Sequence, residues 1–151
     1  MLTTFSPSDV KFILGSWVMT GWNEISVDFN SETYRQEAGI GGKNTRVRMY
    51  DESGVIRVTL PQTSISNDIF STILELDKLH NTAVMRITLE DRSGNSVFRT
   101  NNAYISGDPS YSYANDLREV VWEIVFDEYE ANKLSGNKRP TNIFERLSDL
   151  F

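Results

Sequence analysis

Residues 45–68 constrain the fold more than any other part of the chain, because apolar and polar side chains alternate there on both sides of a short turn. Residues 45–50 alternate first, and residues 55–60 alternate again before Pro61. Period-two alternation is typical of a β-strand with one buried face, and proline marks a strand end because it cannot donate to a sheet. The Asp-Glu-Ser-Gly run at residues 51–54 is typical of a turn. The segment therefore predicts a β-hairpin that leads into a helix.

Composition limits the classes of protein to which this chain can belong. Its 151 residues, 39% of them hydrophobic, suit one domain with a real core. Cysteine is absent, which excludes disulfides and thiolate metal sites. No run of about 18 apolar residues occurs and the N-terminus lacks a signal-peptide pattern, so we expect neither a membrane span nor a cleaved leader. A net charge of -6 does not favour nucleic-acid binding over the whole surface.

Further alternating runs predict a mainly β protein. Strands are expected near residues 10–14, 17–22, 25–29, 82–90, 96–106 and 118–129, and an apolar stripe at helical spacing predicts a helix over residues 67–80. An Asp-x-Ser-Gly turn recurs at residues 91–94, and glycine is expected to take a positive φ in both turns. The predicted fold is an antiparallel β-sandwich or small barrel, packed with one α-helix and carrying a short C-terminal helical extension.

The composition shifts near the end of the chain. We predict a β domain over residues 1–131, then a polar linker and a short amphipathic extension over residues 132–151. The apolar side of the extension consists of Ile143, Phe144, Leu147, Leu150 and Phe151. An isolated helix of this length is marginal in water, so the extension must dock on its own subunit or on another.

The residues supply no constellation for catalysis. The single histidine, His80, is expected at the helix C-terminus, where it interacts with the helix dipole. No second histidine or carboxylate pair stands at metal-ligand spacing, and Gly39–Gly42 lacks the Gly-Lys-Ser/Thr ending of a phosphate loop. We predict no enzyme activity, no metal and no cofactor. The glycine run is either a flexible hairpin tip or a contact loop for a neighbouring subunit.

Charged residues fall on the polar faces of the predicted strands. Arginines occupy several strands, and Glu119, Glu123 and Asp127 share one side of the last long strand. Two interpretations are open: a solvated face of mixed charge, or pairing across strands or subunits, for which the donor fork of arginine is well suited.

One run of residues carries a family resemblance. The sequence VTLPQTSISND enters the predicted helix, and a glycine-rich loop precedes it. A late strand of the W-x-I-x-F kind follows at residues 122–126. This order resembles tail tube proteins of contractile-tailed bacteriophages over about residues 10–130. The matched positions are Thr59, Leu60, Gln62, Thr63, Ser64, Ser66, Asn67, Asp68, Trp122, Ile124 and Phe126.

The resemblance implies a structural virion protein. Subunits of that family form hexameric rings, and the rings stack into a tube that is the channel for DNA ejection. The implied partners are other copies of the chain, the sheath protein, and the baseplate and tail-terminator proteins, with non-specific passage of double-stranded DNA and no membrane. The implied location is the virion tail, after assembly in the cytoplasm of the host bacterium.

The resemblance also directs attention to two groups of residues. The subunit-interface candidates are Gly39, Ile40, Gly41, Gly42, Lys43, Arg46 and Arg48; the lumen or ring-seam candidates are Arg57, Thr59, Glu119, Glu123 and Asp127. Two alternatives are the tube of a related contractile injection device, such as a secretion system or bacteriocin, and a small β-barrel ligand-binding module. In the latter, Trp17, Trp22, Tyr34 and Phe98 line a cavity instead of forming ordinary core.

Overall fold

A computed structural model describes residues 6–135 and Leu147. A 3-10 helix at Pro7–Asp9 precedes the first strand. The strands are β1 (Val10–Leu14), β2 (Trp17–Met19), β3 (Glu24–Phe29), β4 (Tyr34–Ala38), β5 (Asn44–Arg48), β6 (Gly54–Pro61), β7 (Met85–Asp91), β8 (Ser96–Ile105), β9 (Glu119–Phe126) and β10 (Ala131–Lys133). One α-helix, α1 (Ser66–His80), lies between β6 and β7.

Eight strands form one antiparallel sheet, in the order β2-β1-β7-β8-β9-β6-β3, with β10 paired to β8 beside this path. Phe29 on β3 contacts Phe98 on β8 with ring centroids 6.1 Å apart, although β6 and β9 separate these strands within the sheet. The sheet therefore curls over a single core into an open barrel. The predicted mainly β fold with one helix is confirmed. Strands β4 and β5 form a separate two-stranded sheet.

The core is built from the inward faces of β6 and β9, as their alternation predicts. Ile56, Val58 and Leu60 of β6 are completely buried. Trp122 and Ile124 of β9 are buried opposite them, paired with Val58 and Ile56. Burying each such side chain stabilises the fold by about 1.5–3 kcal/mol, so these two strands anchor the sheet.

Helix α1 covers the core with its apolar side. Phe70 is completely buried, and its ring lies 5.4 Å from that of Trp122. The helix ends at His80, as predicted, and Asn81 follows with a left-handed φ of 57° and donates its backbone N–H to the Asp77 carbonyl. A single residue in this conformation is a common way to end a helix. Within the described part of the chain, no helix is long and apolar enough to span a membrane.

The predicted hairpin between residues 45–50 and 55–60 is wrong. Strand β5 pairs with β4 across the glycine loop, while β6 pairs with β3 on one edge and with β9 on the other. A strand has only two edges for backbone hydrogen bonds, so β6 has none left for β5. The turn chemistry is nevertheless shared: the Asp51 carboxylate accepts from the Ser53 N–H and hydroxyl, as does that of Asp91 from Ser93. Only the second of these turns closes a hairpin, between β7 and β8.

Gly54 serves a purpose that the turn pattern did not predict. The positive φ expected in both turns is found neither at Gly94 nor at Gly54, so backbone conformation does not require glycine at residue 54. Instead, a Cβ at this position would overlap the Asp28 carbonyl oxygen and lie 2.5 Å from Cζ of Phe126. The glycine allows β3 and the Phe126 ring to approach β6 closely.

The TSISND run at residues 63–68 makes polar contacts around the helix start. The N-cap residue is Ile65, whose side chain makes no capping bond, while the Ser64 hydroxyl accepts from the Ser66 N–H at 3.3 Å. The Ser66 hydroxyl donates to the Thr20 carbonyl at 2.5 Å, and the Asn67 amide donates to the Pro61 carbonyl at 3.0 Å. The Trp122 indole N–H completes this set by donating to the Asn67 side-chain oxygen at 3.0 Å. The run therefore joins the helix start to three other parts of the fold.

The first residues of the expected linker are held on the main sheet. Ala131–Lys133 forms β10 on the edge of β8, and the Ser135 N–H donates to the Ser96 hydroxyl at 2.8 Å. Strand pairing up to Lys133 and this hydrogen bond from Ser135 thus hold the chain against the sheet. Most of the predicted extension lies outside the described residues, although Leu147 is helical. The division at residue 131 stays a prediction.

Candidate functional site

The outward side of β3, β6 and β9 carries charged side chains interspersed with Thr59, Val55, Val121 and Val125, and we call it the acidic sheet face. Register places Arg57 of β6 between Ser26 of β3 and Glu123 of β9. The Arg57 guanidinium donates through Nη1 to the Asp28 carboxylate at 2.7 Å and through Nε to Glu123 at 3.3 Å. Exposed ion pairs contribute about 0–1 kcal/mol each, so this network orders the surface more than it stabilises the fold.

Carboxylates outnumber cations on this face. The three strands and the residue after β9 carry five carboxylates and one cation, Arg57, so their net charge is −4. The carboxylates are those of Glu24, Asp28, Glu119, Glu123 and Asp127. Thr59 lies on the same side, opposite Glu24 and Val121. The structure thus brings all the predicted lumen or ring-seam residues onto one face.

Strands β4 and β5, with their loop, form the basic hairpin, residues 34–48. The Gly39 N–H donates to the Lys43 carbonyl at 2.6 Å, and Gly41 and Gly42 have φ values of 89° and 81°. Glycine adopts these left-handed values without the strain that a Cβ adds. Ile40 stands at the tip with its side chain fully exposed. The hairpin therefore presents an apolar residue on a tightly bent glycine loop, outside the main sheet.

Aromatic rings hold two arginines on one side of the basic hairpin. The Arg46 guanidinium carbon lies 4.2 Å from the Tyr34 ring centroid, and that of Arg48 lies 5.4 Å from the Tyr34 and Tyr50 rings. Cation–π contacts of this kind contribute about 0.5–1 kcal/mol each at exposed sites, so the rings help to hold both guanidinium groups in place.

The basic hairpin and the rest of the chain carry opposite charge. The hairpin has four cations, which are Arg35, Lys43, Arg46 and Arg48, and one carboxylate, Glu37, which pairs with Arg35. Its net charge is +3, and the remainder of the chain, with eleven cations and twenty carboxylates, has a net charge of −9. All seven predicted subunit-interface residues lie in this hairpin.

Sequence reasoning missed two residues that complete the acidic sheet face. Asp28 and Glu24 belong to the acidic sheet face, but only the pairing of β3 with β6 reveals it. The alternation of Ile25, Val27 and Phe29 was the available signal, since it turns the residues between them outward.

The residues proposed to line a ligand cavity do not meet. Trp17 lies at the rim of a groove beside α1, Tyr34 belongs to the basic hairpin, and Phe98 is buried in the core. Trp22 is half-buried against that core. The four aromatic side chains therefore do not line a common cavity. Among residues 6–135 and Leu147, no group of three or more histidine or acidic side chains is placed to hold a metal ion.

Comparison with known proteins agrees with this arrangement. The chain is 27% identical over 133 residues to structural protein ORF10 of Pseudomonas phage KPP10, covering 81% of this chain and 77% of the relative. No family model matches the sequence. A chain of the anti-feeding prophage cap, which terminates the tube of that particle, superposes with a TM-score of 0.63 at 10% identity, covering 88% of this chain and 94% of the other.

Two more particles contain the same fold. A chain of the PVC extracellular contractile injection system, from its extended sheath–tube complex, gives a TM-score of 0.59 at 12% identity over 83% of this chain and 89% of that one. The chain shares its fold with these tube-associated proteins. A chain from the virion of a native gene transfer agent gives a TM-score of 0.52 at 12% identity, covering 85% of this chain and all of the other. The predicted resemblance to tail tube proteins is thereby confirmed, and the relatives are structural components of particles.

Proposed function

We propose that this protein is a structural virion protein whose hexameric rings stack into a phage tail tube, the channel for DNA ejection. The observation that carries the proposal is the acidic sheet face beside the outer edge of β3, which pairs with β6 alone among the described strands. Exposed edges are normally covered or paired, and closing sheets across subunits removes them. A ring closed at this edge would extend the acidic sheet face around a channel.

The charge of the acidic sheet face suits a channel lumen. Strong binding to DNA depends on cations that neutralise phosphates and release counterions. Here the one cation, Arg57, is already shared between Asp28 and Glu123. A lumen lined by Thr59, Glu119, Glu123 and Asp127 would repel phosphates, so double-stranded DNA would pass without adhering.

The basic hairpin suits a contact between subunits. It carries a net charge of +3 and shares no backbone ladder with the main sheet, so it is available to the strongly acidic surface of another copy. Opposite charges steer association and fix the register of an interface. In this proposal the interface residues are Gly39, Ile40, Gly41, Gly42, Lys43, Arg46 and Arg48.

The further partners are those of a contractile tail. They are the sheath protein around the tube, the baseplate and the tail-terminator protein, in a virion assembled in the bacterial cytoplasm. The sheath–tube and tube-cap particles that share the fold support these partners. In this proposal the protein acts by assembly and not by catalysis, and its likeness to a phage structural protein supports that role.

A related injection device is the second candidate, because two of the solved structures with this fold belong to such systems. The 27% identity to a phage structural protein, against 10–12% to those chains, favours the virion. The two candidates differ in cargo.

Negative-stain microscopy of the purified protein tests assembly directly, with rings or tubes expected at high concentration. Deleting Ile40–Lys43 should abolish them while circular dichroism stays unchanged, because loop length costs little stability. The double variant Arg46→Ala/Arg48→Ala should weaken assembly, while the matched pair Arg86→Ala/Arg92→Ala on β7 and its turn should assemble normally. A protein that stays monomeric and never joins other virion components would refute the proposal.

A further inference from the structure

Helix α1 borders an apolar groove that the described residues leave open to solvent. The groove has a volume of about 490 Å³ and lies between the helix and the adjoining ends of β1 and β7. Trp17 is 61% exposed, Val84 59% and Leu76 49%. Large apolar side chains that are exposed together mark a surface that a partner covers. The apolar lining includes Leu14, Trp17, Ile73, Leu76, Val84 and Met85.

The tip of the basic hairpin presents an apolar side chain that suits this groove. Ile40 is fully exposed, so its own subunit gains nothing from burying it. Glycines stand on both sides of it, and Gly41 and Gly42 bend the loop with positive φ values. Because glycine has no side chain, the isoleucine can enter a groove without steric hindrance from its neighbours. The hairpin is thus shaped to insert a single apolar residue.

The charges around the two surfaces are complementary. The hairpin has a net charge of +3, and Lys43 follows its tip closely. Helix α1 carries three carboxylates and one lysine, so its net charge is −2 with His80 neutral. Arg86 lines the groove, but its guanidinium lies 4.0 Å from the Glu130 carboxylate. Complementary charges steer two surfaces together and fix their orientation. The helix carboxylates are those of Asp68, Glu75 and Asp77.

Strand β7 runs between the groove and the end of the barrel from which the hairpin starts. Met85, its first residue, lines the groove. Asp91, its last residue, lines a cavity with Phe29 and Asn132, and those two residues also line the cleft beside Arg48 at the hairpin base. Because β7 has seven residues, its ends lie roughly 20 Å apart. Each copy therefore carries the hairpin base and the groove at opposite ends.

We propose that Ile40 of one copy inserts into the groove beside α1 of the next copy, with the hairpin cations facing the helix carboxylates. This contact belongs to the proposed tube and rests on that proposal. It joins two different surfaces, so each copy offers one hairpin and one groove, and the contact repeats from copy to copy. Because the two surfaces lie at opposite ends of the subunit, repetition extends the assembly in one direction, as growth of a tube requires.

Cross-linking between copies tests the contact, because the protein contains no cysteine of its own. The test variant is Ile40→Cys/Val84→Cys. The matched control is Ile40→Cys/Val121→Cys, in which the second cysteine replaces an exposed valine of the acidic sheet face. A short bis-maleimide applied to the assembled protein should join successive copies of the test variant into a series of covalent multimers on a denaturing gel. The control should give no more than dimers linked through two hairpin cysteines.

The other outcomes contradict the docking. Multimers of the control in equal yield, links within one chain, or no multimers of the test variant would each overturn it. Microscopy of the same samples separates this failure from that of the tube. Rings or tubes without the expected multimers would refute the docking alone, whereas a parent protein that forms no particles would refute both.

The concentration needed for assembly gives a second measurement, which does not depend on cysteines. Ile40→Asp and Val84→Asp each place a charge in the contact, so each should raise the concentration at which light scattering detects assembly by about tenfold or more. Ile40→Leu and the surface control Val121→Asp should assemble near the parent concentration. An unchanged urea midpoint shows that the subunits remain folded. If Ile40→Asp impairs assembly but Val84→Asp does not, the hairpin docks elsewhere and the groove is excluded.

Discussion

Replacing Gly54 with alanine tests how closely β3 is packed against β6. The added Cβ would overlap the Asp28 carbonyl oxygen and lie 2.5 Å and 3.0 Å from Cζ and Cε1 of Phe126. Phe126 is completely buried, and its ring centroid lies 5.8 Å from that of Phe29 and 5.1 Å from that of Phe98. The ring has little space to move into, so β3 must move away from β6.

The expected cost follows from two effects. Overpacking a well-packed core costs about 1–3 kcal/mol. Moving β3 also weakens one or two bonds of its ladder with β6, at about 0.5–1.5 kcal/mol each. Alanine recovers roughly 0.5–1 kcal/mol because glycine is unfavourable in a strand. The net loss is about 2–4 kcal/mol in the free energy of unfolding, which lowers Tm by roughly 5–15 °C at this chain length.

Urea denaturation followed by tryptophan fluorescence measures this loss. The matched control is Gly107→Ala, because nothing lies within 4 Å of the added Cβ and its φ is not left-handed. That variant should stay within about 1 kcal/mol of the parent protein. If Gly54→Ala proves as stable as Gly107→Ala, the close approach of β3 to β6 is not a constraint on this fold.

The remaining predictions concern polar contacts. Ser66→Ala should cost about 1–3 kcal/mol, because the Thr20 carbonyl loses its buried donor; an unchanged urea midpoint would contradict this. Hydrogen bonds from Ser53 lower the pKa of Asp51, so Ser53→Ala should raise that pKa in an NMR titration, and an unmoved titration would refute the cause. Because the folded pKa is depressed, the contribution of Asp51 is present above its ordinary pKa and is lost as pH falls through the lowered value. Arg57→Gln should change the free energy of unfolding by less than about 1 kcal/mol, because exposed ion pairs contribute little. A larger loss would show that the two ion pairs of Arg57 stabilise the fold.

The strands with one fully buried face were predictable from sequence. Residues 55–60 and 118–129 alternate cleanly because their inward side chains are completely or almost completely buried. Apolar and polar residues alternate in β5 as well, but Val47 is its most buried residue and is only half-buried. The alternation in β5 therefore does not predict which strand pairs with it. The prediction of the first hairpin was wrong because it relied on the turn residues between the two strands. An Asp-x-Ser-Gly run fixes the local backbone equally well whether the flanking strands pair or diverge.

For the acidic sheet face, the sequence predicts which side chains point outward but not which strands lie next to one another. Alternation places Arg57 and Glu123 on outward faces, yet 66 residues separate them in the chain. Asp28 reaches the same guanidinium from 29 residues away. Contacts of such sequence separation depend on which strands become neighbours, and a single sequence carries no local signal for that choice.

The separateness of the basic hairpin has a consequence for how such a protein changes over generations. Its residues form no backbone hydrogen-bond ladder with the eight-stranded sheet, and none of the completely buried core side chains belongs to it. A substitution there leaves the free energy of unfolding almost untouched, while one at Gly54 or Ile56 does not. Natural selection can therefore vary the reach and charge of the hairpin without endangering the subunit that carries it.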